Sequence, residues 1–434
     1  MKLVATILLL IPFICNAQYY KKARNAYKAK DFVEVELNYQ KAIKIEETLE
    51  LKDWLNLANS YRYQGKYLET LETYKKAKSY AEFKQEWDHL YYYAETAKTL
   101  GEYKIAKKWL KKYKKGRPQK GEAALQSLAF AKANQKYRNV NYLIQNEKAV
   151  NSASAEYNPM VFGDSVLTFA SSRSRQLPSK QWTKKNINFL YQATIQEGKQ
   201  LKDMRLFQQR DSLFTSNPTP ICYNRDYRYS VSTFNHFVEG IRHVKGTFLD
   251  KLGLEIFPIE EYGLHMMGVQ MYLDKGERYS AGFPGMGLND TTLYFASDRP
   301  DGYGGFDIYK TTVIQDREIF LITKPINLGP KINTPGDEIC PFIDVNGDLY
   351  FVSDYHEGFG GYDVFFSRLR ADEWTKPENL GQPMNSSYDD LYYIYNSKLK
   401  RGYFTSNRPQ GKGDYDIYSV EYNLGWKTRS EESK

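Results

Sequence analysis

Cysteine is nearly missing from this sequence: three occur in 434 residues, at positions 15, 222 and 340. Cys15 falls in the leader described below. The remaining two, Cys222 and Cys340, cannot build a disulfide framework, so the core must come from packing and both thiols are expected to be free. Histidine is scarce as well. His89, His236, His243, His265 and His356 share no metal-ligand spacing, and neither a metal nor a cofactor is expected. Beyond the first 17 residues no apolar run is long enough for a transmembrane helix. A strong charge of one sign is also missing, since 61 basic against 52 acidic residues leave +9. Nucleic acid is one reading of a basic chain, but the export signal at its start argues against it.

Aromatics, by contrast, are abundant. They make up 15% of the chain, with 38 tyrosines, too many for a disordered chain and suited to a strand-rich fold. Residues 1–17, MKLVATILLLIPFICNA, read as a signal peptide. Lys2 is the positive start, Leu3 to Ile14 the short apolar core, and Ala17 the small residue before the cut. The mature chain is expected to begin at Gln18. The alternative of a lipid on Cys15 requires a small residue before it, and Ile14 is bulky.

From 18 to 135 the apolar period is helical. Trp54, Leu57, Ala58 and Tyr61 share a helix face, Gly65 breaks the run, and Tyr67, Thr70, Tyr74 and Ala77 form a second face. The pattern returns with Leu90, Tyr93, Ala94 and Ala97, then Gly101, then Tyr103, Ala106, Leu110, Tyr113 and Pro118. Ala23, Phe32, Val35, Tyr39 and Ala42 fit the same frame earlier, with Ala26 where an aromatic is usual. A period near 34 in this pattern resembles the tetratricopeptide (TPR) repeat, an α-solenoid of helical hairpins, with 121–135 as its capping helix. The resemblance implies peptide binding on a concave face. By repeat phase that face holds Tyr20, Arg24, Tyr27 and Lys28, then Lys52, Asn59, Arg62 and Tyr63, then Tyr91, Glu95 and Lys98. Cations mixed with Tyr suit an acidic or carboxylate-bearing peptide; an ordinary solvated Lys-rich face is the alternative.

From 136 to 424 the pattern is β. LYFASDRPDGYGGFDIY from Leu293, LYFVSDYHEGFGGYDVF from Leu349 and GYFTSNRPQGKGDYDIY from Gly402 align without gaps. In each a strand ends at Ser297, Ser353 or Ser406, a Gly-rich turn follows, and Asp307, Asp363 or Asp416 opens the next strand. Asn327-Leu328-Gly329 and Asn379-Leu380-Gly381 repeat between them. Units of this length must hold four short strands, which argues for propeller blades. Ser171 and Ser232 mark two worn earlier units, so five blades are expected, with six as the other count. The last unit runs out after its third strand, Tyr415 to Glu421. A strand at Val140 to Ile144 is therefore expected to complete that blade and hide its edge.

These blades resemble PD40, or TolB-like WD40, repeats. The order TPR then propeller, with the SDRP, GYGGFDIY, NLG and NTPGDE stretches, resembles the front half of the PorE-type OmpA-family envelope proteins of type IX secretion. The resemblance implies an envelope location and a scaffold role. Its peptidoglycan-binding OmpA domain has no counterpart here, and residues 425–434 read as a polar tail, so peptidoglycan binding is not expected.

Five-bladed propellers also resemble certain glycosidases, which need two carboxylates across the funnel. Asp307, Asp363 and Asp416 are the candidates, but they recur in every strong repeat and read as turn-holding residues accepting backbone N–H bonds. Asp344 to Asp348 begins like a calcium loop, yet Tyr355 stands where a bidentate Glu is needed, and a hairpin turn is expected. Gly302 to Gly305 leads into a strand, not a helix, so it is no phosphate loop. The expectation is a non-catalytic periplasmic scaffold or adaptor for protein partners, at or near the outer membrane. The alternative is a propeller that binds or trims a surface glycan.

Overall fold

The computed structural model describes residues 18–45, 49–137, 139, 141–173, 189–207, 220–235, 252–260, 263–264, 269–271, 279–316 and 319–422. The expected leader and polar tail, Val140, His236, His243 and His265 lie outside the described residues. The chain divides into two compact units between Lys132 and Ala133.

The first unit is helical: α1 (18–28), α2 (Phe32–Ile45), α3 (Leu51–Tyr63), α4 (Tyr67–Ala77), α5 (Trp87–Thr99), α6 (Tyr103–Gly116) and α7 (Pro118–Asn134). The turns of the second and third hairpins are built alike. Gly65 and Gly101 take φ of +68° and +76°. In each, the glycine N–H bonds the carbonyl three residues back, and the following N–H bonds the carbonyl five back (Lys66 to Tyr61, Glu102 to Ala97). This left-handed cap satisfies the last carbonyls of α3 and α5, and glycine adopts it without a Cβ penalty. A short 3₁₀ turn, Ala81–Gln85, separates the two hairpins and buries Phe83. It accounts for the spacing of Ala58 and Ala94, two residues longer than the usual repeat. Phe83 joins Tyr74, Tyr93 and Trp109 in one aromatic cluster, with ring centroids 5.4–6.2 Å apart. The capping helix starts at Pro118, three residues before the expected start. Proline suits a first helical turn, whose N–H groups have no intrahelical partner.

The second unit is a five-bladed antiparallel propeller. Blade 1 holds Glu156–Phe162, Val166–Ser171, Phe189–Ile195 and Leu201–Leu206. Blade 2 holds Ile221–Tyr223, Tyr229–Asn235, Leu252–Glu260 and Val269–Met271. Blade 3 holds Ala281–Met286, Thr292–Ser297, Asp307–Asp316 and an outer edge of Ile319–Ile322 and Ile326–Asn327. Blade 4 holds Glu338–Ile343, Leu349–Ser353, Asp363–Ser367 and Glu378–Asn379. Blade 5 takes Asp390–Asn396, Arg401–Ser406 and Asp416–Tyr422 from the end of the chain and Tyr142–Asn146 as its outer strand. Ser171, Ser297, Ser353 and Ser406 all face the first residue of their inner strand. Ser232 faces Ile221 in the same way, so the worn blade keeps the repeat phase.

The closing strand pairs antiparallel with the last strand, from Tyr142 opposite Tyr422 to Asn146 opposite Tyr418. It lies two residues further along than Val140 to Ile144. Its register is held by the Asn146 carboxamide, which docks on the buried Asp416. The edge of blade 5 is thereby paired with backbone instead of being left bare.

Candidate functional site

Asp307, Asp363 and Asp416 each open the third strand of a blade and are buried. Each carboxylate accepts from the Gly-rich turn before it. Asp307 accepts the Tyr303 N–H at 2.6 Å and the Asn327 amide at 2.8 Å. Asp363 accepts the N–H groups of Phe359 and Gly360 and the Asn379 amide. Asp416 accepts those of Lys412 and Gly413 at 2.6 and 3.0 Å. Burial raises the pKa of Asp307 above the usual carboxylate range. The serines are engaged locally too. Ser353 Oγ donates to Glu338, Ser297 Oγ to the Ser280 carbonyl, and Ser406 Oγ accepts from Arg408. The Asp344 to Asp348 segment is a hairpin: Asp344 Oδ1 accepts the N–H groups of Asn346 and Asp348, and Gly347 has φ +82°. Among the described residues no group of three His, Cys, Asp or Glu is placed to hold a metal.

In the helical unit the residues expected on one face separate into two kinds. Arg24 is committed to structure, its guanidinium bonding the fully buried Asp53 at 2.6 and 2.8 Å and Glu50 at 2.9 Å; Tyr20 lies beside it. Lys98 is only 3% exposed and pairs with Glu95 and Ser127, so it presents no charge to a partner. Tyr91 packs on Tyr113 under Lys120. Lys28 and Lys52 are exposed.

The others meet around Arg62. Its guanidinium lies 4.3 Å from the Tyr63 ring centroid and 4.0 Å from that of Tyr92. Arg62 Nε donates to Asn59 Oδ1 at 3.4 Å, and Asn59 Nδ2 donates to the Tyr27 hydroxyl at 3.0 Å. Tyr63 is 57% exposed and stacks on Phe32 at 4.6 Å. No carboxylate pairs with Arg62 among the described residues. Tyr92 and Phe32 were missed in the repeat phase, because they stand off the expected face and reach it only through helix packing. Beneath them His89 Nδ1 sits 3.1 Å from the Tyr74 hydroxyl, and burial lowers its pKa to about 4. A guanidinium lying over two rings and hydrogen-bonded through Nε is held in place, with its remaining N–H donors suited to a carboxylate.

The propeller holds a cavity of about 320 Å³ at the mouth of its funnel, lined by the inner strands and the turns that follow them. Among the described residues its lining contains one carboxylate, Asp164, which accepts from Lys398 Nζ at 2.5 Å and Asn396 Nδ2 at 3.1 Å. Asp307, Asp363 and Asp416 take no part in that lining. Cys222 and Cys340 do, as buried free thiols with blade 3 between them.

No family model matches the sequence, and no curated protein matches it. Among solved structures, an α-L-arabinofuranosidase from Lactobacillus brevis aligns at 12% identity and TM-score 0.36, covering 68% of this chain and 95% of its own. A glycoside hydrolase aligns at 10% identity and TM-score 0.41, covering 69% and 96%. A prolyl endopeptidase aligns at 10% identity and TM-score 0.30 over 66% of this chain, which spans 36% of that protein's length. At such scores these likenesses carry no functional argument; what stands without them is a seven-helix region followed by a five-bladed propeller.

Proposed function

We propose that this chain is a non-catalytic scaffold or adaptor whose helical unit receives an acidic or carboxylate-bearing peptide at Arg62. The observation carrying this reading is the guanidinium lying over the Tyr63 and Tyr92 rings with no acidic partner among the described residues. The hairpins with their matching glycine caps support reading 18–135 as TPR repeats, and the repeated Ser–Asp units support PD40-type blades. Together with the leader at 1–17, that order supports the role carried by the PorE-type OmpA-family proteins it resembles: an exported component of a bacterial envelope complex, in the periplasm or at the periplasmic face of the outer membrane. The glycan-trimming alternative has less support, since among the described residues the funnel lining offers one carboxylate where the reaction needs two.

The test is binding of a fluorescent peptide ending in two acidic residues, against its C-amidated Gln counterpart, by the full chain. Charge-assisted hydrogen bonds contribute about 1.5 to 3 kcal/mol, so Arg62→Gln should weaken the acidic peptide by roughly ten-fold or more. Equal binding of the two peptides would overturn the reading. Fractionation of the native cells tests the location; recovery in the cytoplasm would rule it out.

A further inference from the structure

We propose that the funnel mouth of the propeller binds a small carboxylate carrying an aromatic or aliphatic body, independently of the helical groove. The floor of the cavity comes first. In four of the five inner strands the third residue takes a positive φ: Asn158 at 52°, Phe283 at 56°, Cys340 at 53° and Tyr392 at 53°. Each of these strands shifts register at that point. A left-handed conformation is one that residues as bulky as Phe and Tyr rarely adopt, and it persists only where the surrounding structure holds it. Such a bulge re-aims a side chain that a regular strand would point elsewhere. Here it brings the rings of Phe283 and Tyr392 to 6.3 Å of each other. These residues belong to blades 3 and 5, which are not neighbours, so their contact spans the axis and floors the tunnel.

Above that floor the walls are apolar and adaptable, with Met160, Met286, Phe342 and Ile394 among the lining residues. Methionine and aromatic walls accept a hydrophobic body of varied shape. The rim is polar and unbalanced. Lys398 and Asn396 already occupy Asp164, the one carboxylate of the lining among the described residues. Arg225 lines the same rim, and its backbone N–H is pinned by Asp290 at 2.5 Å. Its guanidinium makes no ion pair among the described residues, whereas the neighbouring Asp226 pairs with Arg228. An apolar cup whose lining includes an arginine without an ion pair among the described residues is matched by a ligand with an apolar body and one carboxylate. Small-molecule pockets run from about 300 to 1,000 Å³, so this cavity fits one aromatic acid or the last residue of a peptide chain.

Calorimetric titration of the full chain with 3-phenylpropionate, 3-phenylpropionamide and N-acetyl-Gly-Gly-Phe tests the proposal. Both acids should bind at least ten-fold more tightly than the amide, and Arg225→Gln should remove that preference while leaving thermal unfolding unchanged. Val345→Trp, which crowds the rim from an exposed position, should block both acids. Tighter binding of the peptide would identify a chain end as the source, and tighter binding of phenylpropionate a free acid; either supports the shared chemistry. Equal binding of acid and amide, no binding of either acid at millimolar concentration, or an unchanged preference in Arg225→Gln would overturn it.

Discussion

The Asn146 amide donates to the Asp416 carboxylate at 2.7 Å, joining residues 270 positions apart. The same bond is made inside blade 3 by Asn327 on Asp307 and inside blade 4 by Asn379 on Asp363. Asn151 completes the copy: it exchanges two bonds of 2.8 Å with the Ile417 backbone, as Asn333 does with Ile308 at 2.8 and 3.0 Å and Asn385 with Val364 at 2.8 Å. The ring is thus closed by a whole linker motif as well as a strand.

Removal of that motif should therefore unmake the propeller. A chain starting at Gln135 should fold, whereas one starting at Asn151 should aggregate or melt far lower. Each lost backbone bond is worth about 0.5–1.5 kcal/mol net, against a typical margin of about 5–15 kcal/mol for a whole domain. Thermal unfolding followed by circular dichroism decides it, and equal melting temperatures would count against closure by the first strand.

Close approach between blades gives a second expectation. A Cβ on Gly304 would lie 2.2 Å from the Thr334 carbonyl oxygen, one on Gly360 1.9 Å from that of Tyr388, and one on Gly413 1.8 Å from that of Ser154. The last contact links blade 5 to the segment entering blade 1. Gly413→Ala should cost about 1–3 kcal/mol through the forced backbone shift. Urea denaturation should show a lower midpoint with an unchanged slope.

Burial lowers the His89 pKa from 6.5 to about 4. The folded chain then holds the neutral ring where the unfolded chain takes up a proton. The contribution of His89 to stability is complete above pH 6.5 and is lost as pH falls toward 4, at up to about 1.4 kcal/mol per pH unit. His89→Gln should flatten the stability profile in that window, measured as urea midpoints between pH 4 and 7. A profile as steep as the wild type would show that another group is responsible.

Burial raises the pKa of both Cys222 and Cys340, to about 12 in the case of Cys222. The thiolate is the reactive form, so neither should react with a thiol reagent such as Ellman's in the native chain at pH 8. Both should react once the chain is unfolded in guanidinium. Fast labelling of the native protein would show that the funnel opens at these positions.

The blades were legible in the sequence because each repeats a local device. A Ser at a strand end, a Gly turn and an Asp ten positions on recur at fixed spacing, the Asp accepting the N–H groups of the turn just before it, and the out-of-phase start follows from counting strands. The worn second blade was found only through Ser232, since its flanking segments carry few of the repeated residues. The face around Arg62 was half legible. Repeat phase placed Tyr27, Asn59, Arg62 and Tyr63 together, but could not tell that Lys98 is buried on Glu95 and Ser127 or that Arg24 is fixed by Asp53.

By itself, then, the sequence determined which apolar faces turn inward and in what order the units come, because the 3.6-residue period, the strand alternation and the turn chemistry are all properties of neighbours along the chain. Tertiary structure alone decided that Tyr92 from α5 lies over Arg62 of α3. It alone decided that Phe283 and Tyr392 meet across the axis. Periodicity reports which side of an element faces inward. Which partner it meets there depends on helix packing in the one unit and on ring closure in the other, and ring closure also holds Phe283 and Tyr392 in a backbone conformation that neither residue favours.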